Sequence, residues 1–523
     1  VADSARHVMQ FFREERVRAV RLFAGNRYST NSYLKKTFVN LLGLYVNIVS
    51  RSLISQNPQC MLSTFDSRQR PAVDGAENWL NRELKRMDFA GTMGEAVVDG
   101  LFSIGIAKIA LATPADTQTQ NWGLQVAQPF ITPVDLDDFV FDHRARNFDE
   151  VRFIGHRYRA PFDLIHDSKR YNKKARENLE VSYQIAYNRQ GDERIGQIGR
   201  DFHGYDEDLY DMVDLWEFYL PHEGVIKTFT EMDLSGPSSA WEGGRPVALL
   251  EQKWIGPETG PYQILQYGRI PGNIFPKGPI QDLLELHELA NEGYRKLARE
   301  FGKLKKITTC SRDNPEDGKA GQAAKDGDMV PMHDPKSIVD VTMGGGDAGL
   351  FNFVRENITR FMEQAGNLMT MGGLGPQAGT LGQEELLQQQ SNGQVATMQD
   401  KTASFVERCA DSLLWFHWYH PTNTMQANFD DPKLRDMNFT RHIHPANHPN
   451  PAANRRVGPK PELKIDPYSV RRSTPQQVVK DLLSIVESVY TPMAQLFAQQ
   501  GKMLDLDALL QILSKNMSLP ELQ

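Results

Sequence analysis

Residues 283–304 read Leu-Leu-Glu-Leu-His-Glu-Leu-Ala-Asn-Glu-Gly-Tyr-Arg-Lys-Leu-Ala-Arg-Glu-Phe-Gly-Lys-Leu. Apolar and small residues return in this stretch at steps of three and four, which is the period of one buried face of an α-helix. The stripe consists of Leu283, Leu286, Ala290, Gly293, Leu297, Phe301 and Leu304. The pattern predicts a long amphipathic helix of about six turns.

Downstream, the chain leaves this helix and comes back into another. Residues 311–328 are rich in Gly, Asp, Lys and Asn and nearly lack large apolar side chains, so we expect them to be exposed and mobile until a partner binds. A strand-like run at 337–343 leads into three glycines at 344–346. A helical stripe then returns at Phe351, Val354, Ile358, Phe361, Ala365 and Leu368.

A second interruption, residues 372–382, holds five glycines and one proline and carries no charge. Such a segment cannot continue a helix. A third long helix is predicted after it, with a stripe formed by Val395, Met398, Thr402, Phe405, Cys409 and Phe416.

The flanking regions mix helices and strands, so the fold class is predicted as α+β and helix-rich. Helical periods occur near 38–49 and 76–87, and residues 94–112 predict a helix that passes through Gly105 into a strand. Residues 214–229 predict a hairpin that turns at 222–224. Helices are expected again from Thr474 to the end.

Composition limits the classes of function. The 523 residues suffice for two or more packed units, and the formal charge of −7 disfavours tight non-specific wrapping of DNA. Three cysteines far apart in sequence favour a reducing compartment. No signal peptide and no apolar run of about 20 residues are evident, so a protein outside the membrane is expected.

The order of several passages resembles the portal proteins of tailed bacteriophages. Residues 131–142 and 150–159 are similar to that family's acidic turn followed by a histidine-bearing strand. Residues 267–280, running into 291–296, are similar to the entry of its first stem helix. Residues 463–469 are similar to the closing strand of its wing.

This resemblance implies a portal-like subunit with an α/β wing, a helical stem, a small clip and a C-terminal helical crown. The implied segments are the wing at 1–280, the first stem helix at 281–309, the clip at 310–346, the second stem helix at 347–371, the tunnel loop at 372–383, the long wing helix at 384–420, the wing return strands at 421–470 and the crown at 471–523.

The resemblance also implies a function without catalysis: a ring of about twelve copies at one capsid vertex of the virion, assembled in the host cytoplasm, through which DNA is packaged and ejected. The implied partners are further copies of the chain, the major capsid protein, the terminase large subunit, a tail or adaptor protein, and double-stranded DNA passing through the channel. No cofactor, metal or membrane is implied.

A physical argument points the same way. Two helices of about twenty residues, each about 30 Å long, can line a pore and take the chain out and back. Head-to-tail contacts that close generate a ring.

Two groups of residues are candidate channel elements. The first is the neutral loop, expected at the channel constriction, with Gly372, Gly373, Leu374, Gly375, Pro376, Gln377, Gly379 and Thr380; the alternative is a plain helix connector. The second is the basic run Lys303, Lys305 and Lys306, expected on the first stem helix and facing the lumen; the alternative is a solvated face paired with Glu292 and Glu300.

The sequence gives less support to an enzymatic function. None of the Gly-Lys pairs has the spacing of a phosphate-binding loop, and the glycines at 344–346 lack its lysine, which favours a hinge. The histidines at 442, 444 and 448, with His417 and His420 near in sequence, leave open a metal-dependent hydrolase that uses the His442–His448 region. A helical scaffold that forms no ring is a third reading.

Overall fold

A computed structural model of the chain describes residues 2–25, 39–54, 56–65, 70–112, 128–177, 179, 211–230, 247–313, 315–336, 338–345, 347–366, 368, 381–419, 425–427, 441–443 and 460–465. Helices and strands both occur throughout, which confirms the α+β class. None of the described helices is long and apolar enough to cross a membrane.

The helices, in chain order, are α1 (Ala2–Ala24), α2 (Leu41–Leu53), α3 (Arg70–Arg86), α4 (Phe89–Phe102), α5 (Phe162–His166), α6 (Lys173–Glu177), α7 (Leu284–Gly302), α8 (Pro315–Ala323), α9 (Ala348–Gln364) and α10 (Leu381–Tyr419). Short 3-10 turns occupy Leu136–Asp138, Phe148–Glu150 and Pro279–Leu283.

The strands are β1 (Cys60–Ser63), β2 (Gly105–Leu111), β3 (Pro129–Pro133), β4 (Phe139–Phe141), β5 (Ile154–Pro161), β6 (Met212–Leu220), β7 (Val225–Thr230), β8 (Leu250–Lys253), β9 (Tyr262–Leu265), β10 (Gly268–Arg269), β11 (Pro276–Lys277), β12 (Lys305–Thr309), β13 (Val339–Met343), β14 (Met425–Ala427), β15 (Arg441–Ile443) and β16 (Glu462–Ile465).

The chain forms two compact units, of which the first comprises residues 1–50 and 95–401. It contains an antiparallel sheet with strand order β3-β2-β9 and another with order β4-β5-β6-β7-β8. Side chains from both sheets share one core, which is rich in aromatic rings. Its members include Phe139, Phe141, Trp216, Phe218 and Tyr262.

Helix α1 closes this core with apolar residues and one buried arginine. Ala5 and Met9 reach the core cluster. The Arg16 guanidinium donates to carboxylates of Asp99 at 2.9 Å and Asp135 at 2.7 Å. Because a buried guanidinium without partners costs several kcal/mol, these carboxylates fix the position of α1 on the unit.

The second unit comprises residues 51–94 and 402–523. In it, β1 pairs with β16, and α3 satisfies backbone groups of β1 through its side chains. The Asn81 amide accepts from the Cys60 N–H at 2.8 Å and donates to the Cys60 carbonyl at 2.9 Å. A Glu77 carboxylate oxygen accepts from the Leu62 N–H at 2.7 Å. Helix α3 therefore takes the place of a further strand at this point.

Several sequence predictions are confirmed. The hairpin turns at residues 221–224, between β6 and β7, and α4 leads through Gly105 into β2. Long helices occur at all three sites where the period predicted them: α7, α9 and α10.

Other boundaries were wrong. The first of the predicted long helices ends at Gly302 instead of residue 309, because glycine disfavours helix and the β-branched residues Ile307, Thr308 and Thr309 pair as a strand. The second ends at Gln364 instead of 371, followed by Gly366 in the left-handed region at φ 90°. The third begins at Leu381, three residues before the predicted 384.

Candidate assembly surface

Helices α7 and α9 form an antiparallel helical hairpin. At one end the Asp347 N–H donates to a Glu300 carboxylate oxygen at 3.4 Å, and at the other the Gln364 side-chain amide donates to the Asp282 carbonyl at 3.3 Å. Ala290, Gly293 and Leu297 of α7 and Val354 and Phe361 of α9 are buried, and Gly293 packs against Val354 between the two helices. The chain therefore travels out along one helix and back along the other.

An excursion, residues 303–347, joins the two helices at their far end. Its strands β12 and β13 form a two-stranded antiparallel ribbon in which Lys305 pairs with Met343 and Thr309 with Val339. An isolated ribbon of two strands is marginally stable in water. The stability of this ribbon therefore depends on packing against at least one of its faces.

Strand alternation gives the ribbon two different faces. One carries Ile307, Val339, Val341 and Met343, which we call the apolar ribbon face; Lys305 and Thr309 lie at its two ends. The opposite face carries Lys306, Thr308, Asp340 and Thr342, with the Thr308 hydroxyl donating to the Asp340 carboxylate at 2.7 Å. The ribbon is thus amphipathic, as a strand pair packed on one side would be.

The apolar ribbon face is nevertheless open in the single chain. Ile307, Val339 and Met343 are between 40% and 53% exposed. Exposed apolar side chains continue onto the adjoining helix ends at Phe301, Leu304, Phe351 and Phe353. Exposed large apolar side chains concentrated in one segment are typical of interaction surfaces.

A buried carboxylate organises the outer part of the excursion. Asp317, on α8, accepts hydrogen bonds from the backbone N–H groups of His333, at 3.0 Å and 3.1 Å, and Asp334, at 3.1 Å. These hydrogen bonds hold the pKa of Asp317 below its ordinary value. The described residues of 311–328 are exposed or half-exposed, as expected, apart from Asp317, but residues 315–323 form α8, which is tied to the following turn.

The three candidate lysines are exposed, but they do not share one face. Lys303 caps the end of α7, whereas Lys305 and Lys306 lie on β12 rather than on a helix. Successive strand residues point to opposite faces, so Lys305 lies on the side of the apolar ribbon face and Lys306 on the polar side. The basic run in the sequence is therefore split by the strand.

The candidate constriction loop lies outside the described residues. Gly372, Gly373, Leu374, Gly375, Pro376, Gln377, Gly379 and Thr380 all fall between Leu368 and the start of α10. Their placement at a channel constriction stays a prediction.

The histidine cluster is only partly described. His442 lies on β15, while His420, His444 and His448 are outside the described residues. His417 is buried, with its ring 3.7 Å from that of Trp79 between centroids. Within the described parts of the chain, no group of three or more His, Cys, Asp or Glu side chains could hold a metal ion.

Sequence reasoning missed the apolar ribbon face. Alternation at Val339, Val341 and Met343 was visible, but its significance depends on the antiparallel register with β12, which the sequence does not specify. The stripe of α7 also seemed to continue through Leu304, which concealed the strand that starts at Lys305.

No protein-family model matches this sequence, and a search of curated proteins finds no match.

Proposed function

We propose that the chain is the subunit of a phage portal ring, a channel at one capsid vertex through which DNA is packaged and ejected. The observation that carries the proposal is the antiparallel helical hairpin whose far end bears an uncovered apolar ribbon face. A single subunit leaves these side chains in water, whereas copies placed side by side around an axis would cover them.

The remaining assignments follow from the resemblance and from this geometry. Residues 1–280 and 384–470 would form the wing, the helical hairpin the stem, the excursion the clip, and residues 471–523 the crown. Neighbouring copies, the major capsid protein, the terminase large subunit and a tail or adaptor protein are the proposed partners, with double-stranded DNA passing along the axis. The proposed location is the portal vertex of the virion, after assembly in the host cytoplasm.

The proposed role needs no chemistry from this chain. A conduit must let a polyanion slide, so it gains nothing from tight phosphate contacts over its whole surface. The formal charge of −7 is consistent with that requirement. Hydrolysis of ATP is assigned to the separate terminase.

Native mass spectrometry together with electron microscopy of the purified protein tests the proposal. The expected result is annular particles whose mass corresponds to about twelve copies of the 59.3 kDa chain. A protein that stays monomeric at micromolar concentration would exclude the ring and favour a helical scaffold. A monomer that keeps stoichiometric zinc after dialysis against a chelator would favour the hydrolase.

A further inference from the structure

Four polar side chains meet in the seam between the two sheets of the first unit. Lys108 on β2 and Tyr262 on β9 are direct cross-strand partners in the three-stranded sheet. His156 on β5 and Glu217 on β6 are direct partners in the five-stranded sheet. Each sheet thus contributes one pair, and the two pairs face each other across the core.

The four groups form one connected network. The Lys108 ammonium donates to a Glu217 carboxylate oxygen at 2.9 Å and lies 3.5 Å from Nε2 of His156. Nδ1 of His156 lies 2.7 Å from the Tyr262 hydroxyl. Lys108, His156 and Tyr262 are all buried, and the ring of Tyr158 stacks on that of His156.

Charge determines which histidine tautomer fits this network. An ammonium group has only donors, so Nε2 of His156 faces it without a proton, and Nδ1 carries the proton and donates to the Tyr262 hydroxyl. The positive charge of Lys108 and the negative charge of Glu217 then cancel, and the network as a whole is neutral. Burial, followed by the nearby Lys108 charge, places the pKa of His156 well below its ordinary value.

We infer that this network is an acid-sensitive lock between the two sheets. A second proton on His156 would place two positive charges side by side, with Glu217 as the single negative group facing them. The titratable and charged groups that face His156 are Lys108 from β2, Tyr158 from β5, Glu217 from β6 and Tyr262 from β9. The neighbour on β4 is the apolar Phe139.

The direction of the effect follows from linkage. Unfolding releases His156 into water, where its pKa is ~6.5, so the unfolded chain binds more protons than the folded one below that pH. The contribution of this network to the free energy of unfolding is complete above about pH 6.5 and declines as the pH falls. The seam between the sheets should therefore loosen in acid, whether or not the chain forms rings.

Thermal unfolding of the full chain at several pH values from 7.5 to 5.0 tests the lock. The wild-type midpoint should fall by about 2 °C more than that of His156→Gln over this range. The midpoint of Lys108→Met should also fall less steeply with pH than that of wild type, because Glu217 can then neutralise a charged His156. Equal slopes in wild type and both variants would overturn the inference.

Hydrogen exchange measured on the wild-type protein tests the same inference without a variant, so it remains usable if a variant does not fold. After correction for the intrinsic pH dependence of exchange, peptides covering β2, β5, β6 and β9 should lose protection at pH 5.0. The β12–β13 ribbon, far along the chain from this seam, serves as the internal control. Unchanged protection of the four strands, or an equal loss in the ribbon, would contradict an acid-sensitive lock.

Discussion

Gly293 of α7 and Val354 of α9 face each other with no room for a side-chain carbon between them: a Cβ at Gly293 would overlap Cγ2 of the buried valine. The absence of a side chain at Gly293 lets the two helices pack closely at this contact. Packing of this kind tolerates an added methyl group poorly, because the neighbour must leave its preferred rotamer.

Gly293→Ala should destabilise the protein by about 1–2 kcal/mol, since overpacking outweighs the gain of up to about 1 kcal/mol in helix propensity. Gly302→Ala is the matched control at the end of the same helix, where no neighbouring atom lies within 4 Å of the added carbon. It should be neutral or slightly stabilising. Urea unfolding followed by circular dichroism measures both, and equal behaviour of the two variants would show that the seam is not tight.

Arg16→Met should lower the free energy of unfolding by about 3 kcal/mol, because it leaves carboxylates gathered around a site that has lost its buried cation. Arg18→Ala is the control on the same helix: its ion pair with Glu288, at 2.9 Å, is half exposed and should contribute less than about 1 kcal/mol. Denaturant titration of both variants gives the comparison. Similar losses would mean that α1 is held mainly by its apolar residues.

Asp317→Ala should release the turn at 333–334, since its backbone N–H groups lose their acceptor. Peptides covering residues 329–336 should then exchange hydrogen faster, whereas Glu316→Ala, on the exposed side of the same helical turn, should leave them unchanged. The depressed pKa of Asp317 adds a pH dependence. Protection should be complete above about pH 4 and lost as the pH falls through the lower pKa of the folded state.

Met343→Asp should weaken association between subunits by tenfold or more, which corresponds to about 1.4 kcal/mol, because it places a charge on the apolar ribbon face. Thr342→Asp adds the same charge to the opposite face, next to Lys306 on the paired strand, and should leave association intact. Native mass spectrometry across a dilution series separates the two. Rings that form equally well in both variants would show that another surface joins the subunits.

Shortening residues 372–380 to three residues should leave ring assembly intact but impair packaging or retention of DNA. The reason is that the segment is neutral and rich in glycine, so it can touch a polyanion without pinning it. Packaging assays with purified rings and electron microscopy of the particles give the two readouts. Normal packaging with a shortened loop would identify it as a connector between helices.

Sequence patterns located the elements whose neighbours are close along the chain. The helical stripes of α7, α9 and α10, and the turn between β6 and β7, depend on local periodicity and turn chemistry, so they could be predicted. Helix α8 could not, because its stretch has few apolar residues and is held by hydrogen bonds that backbone N–H groups 16 and 17 residues away donate to the Asp317 carboxylate.

The polar groups between the sheets show a second limit. Lys108 and His156 are 48 residues apart, and a shift of either strand by one residue would turn that strand's side chain to the opposite face of its sheet. No local pattern specifies that register. Lys305 and Lys306 show the opposite case. They are neighbours in sequence, but the strand places them on opposite faces of the ribbon.

The excursion begins and ends at one point, since Lys305 and Met343 are paired residues of one ribbon, whose Cα atoms lie about 5 Å apart in such a pair. Everything between them can therefore be exchanged for a longer or shorter segment without altering the separation that the two helices must span. The part of the excursion beyond this pair can therefore vary in length, while the paired base of the ribbon stays fixed. The length and sequence of this part could change during evolution while the helical hairpin stayed as it is.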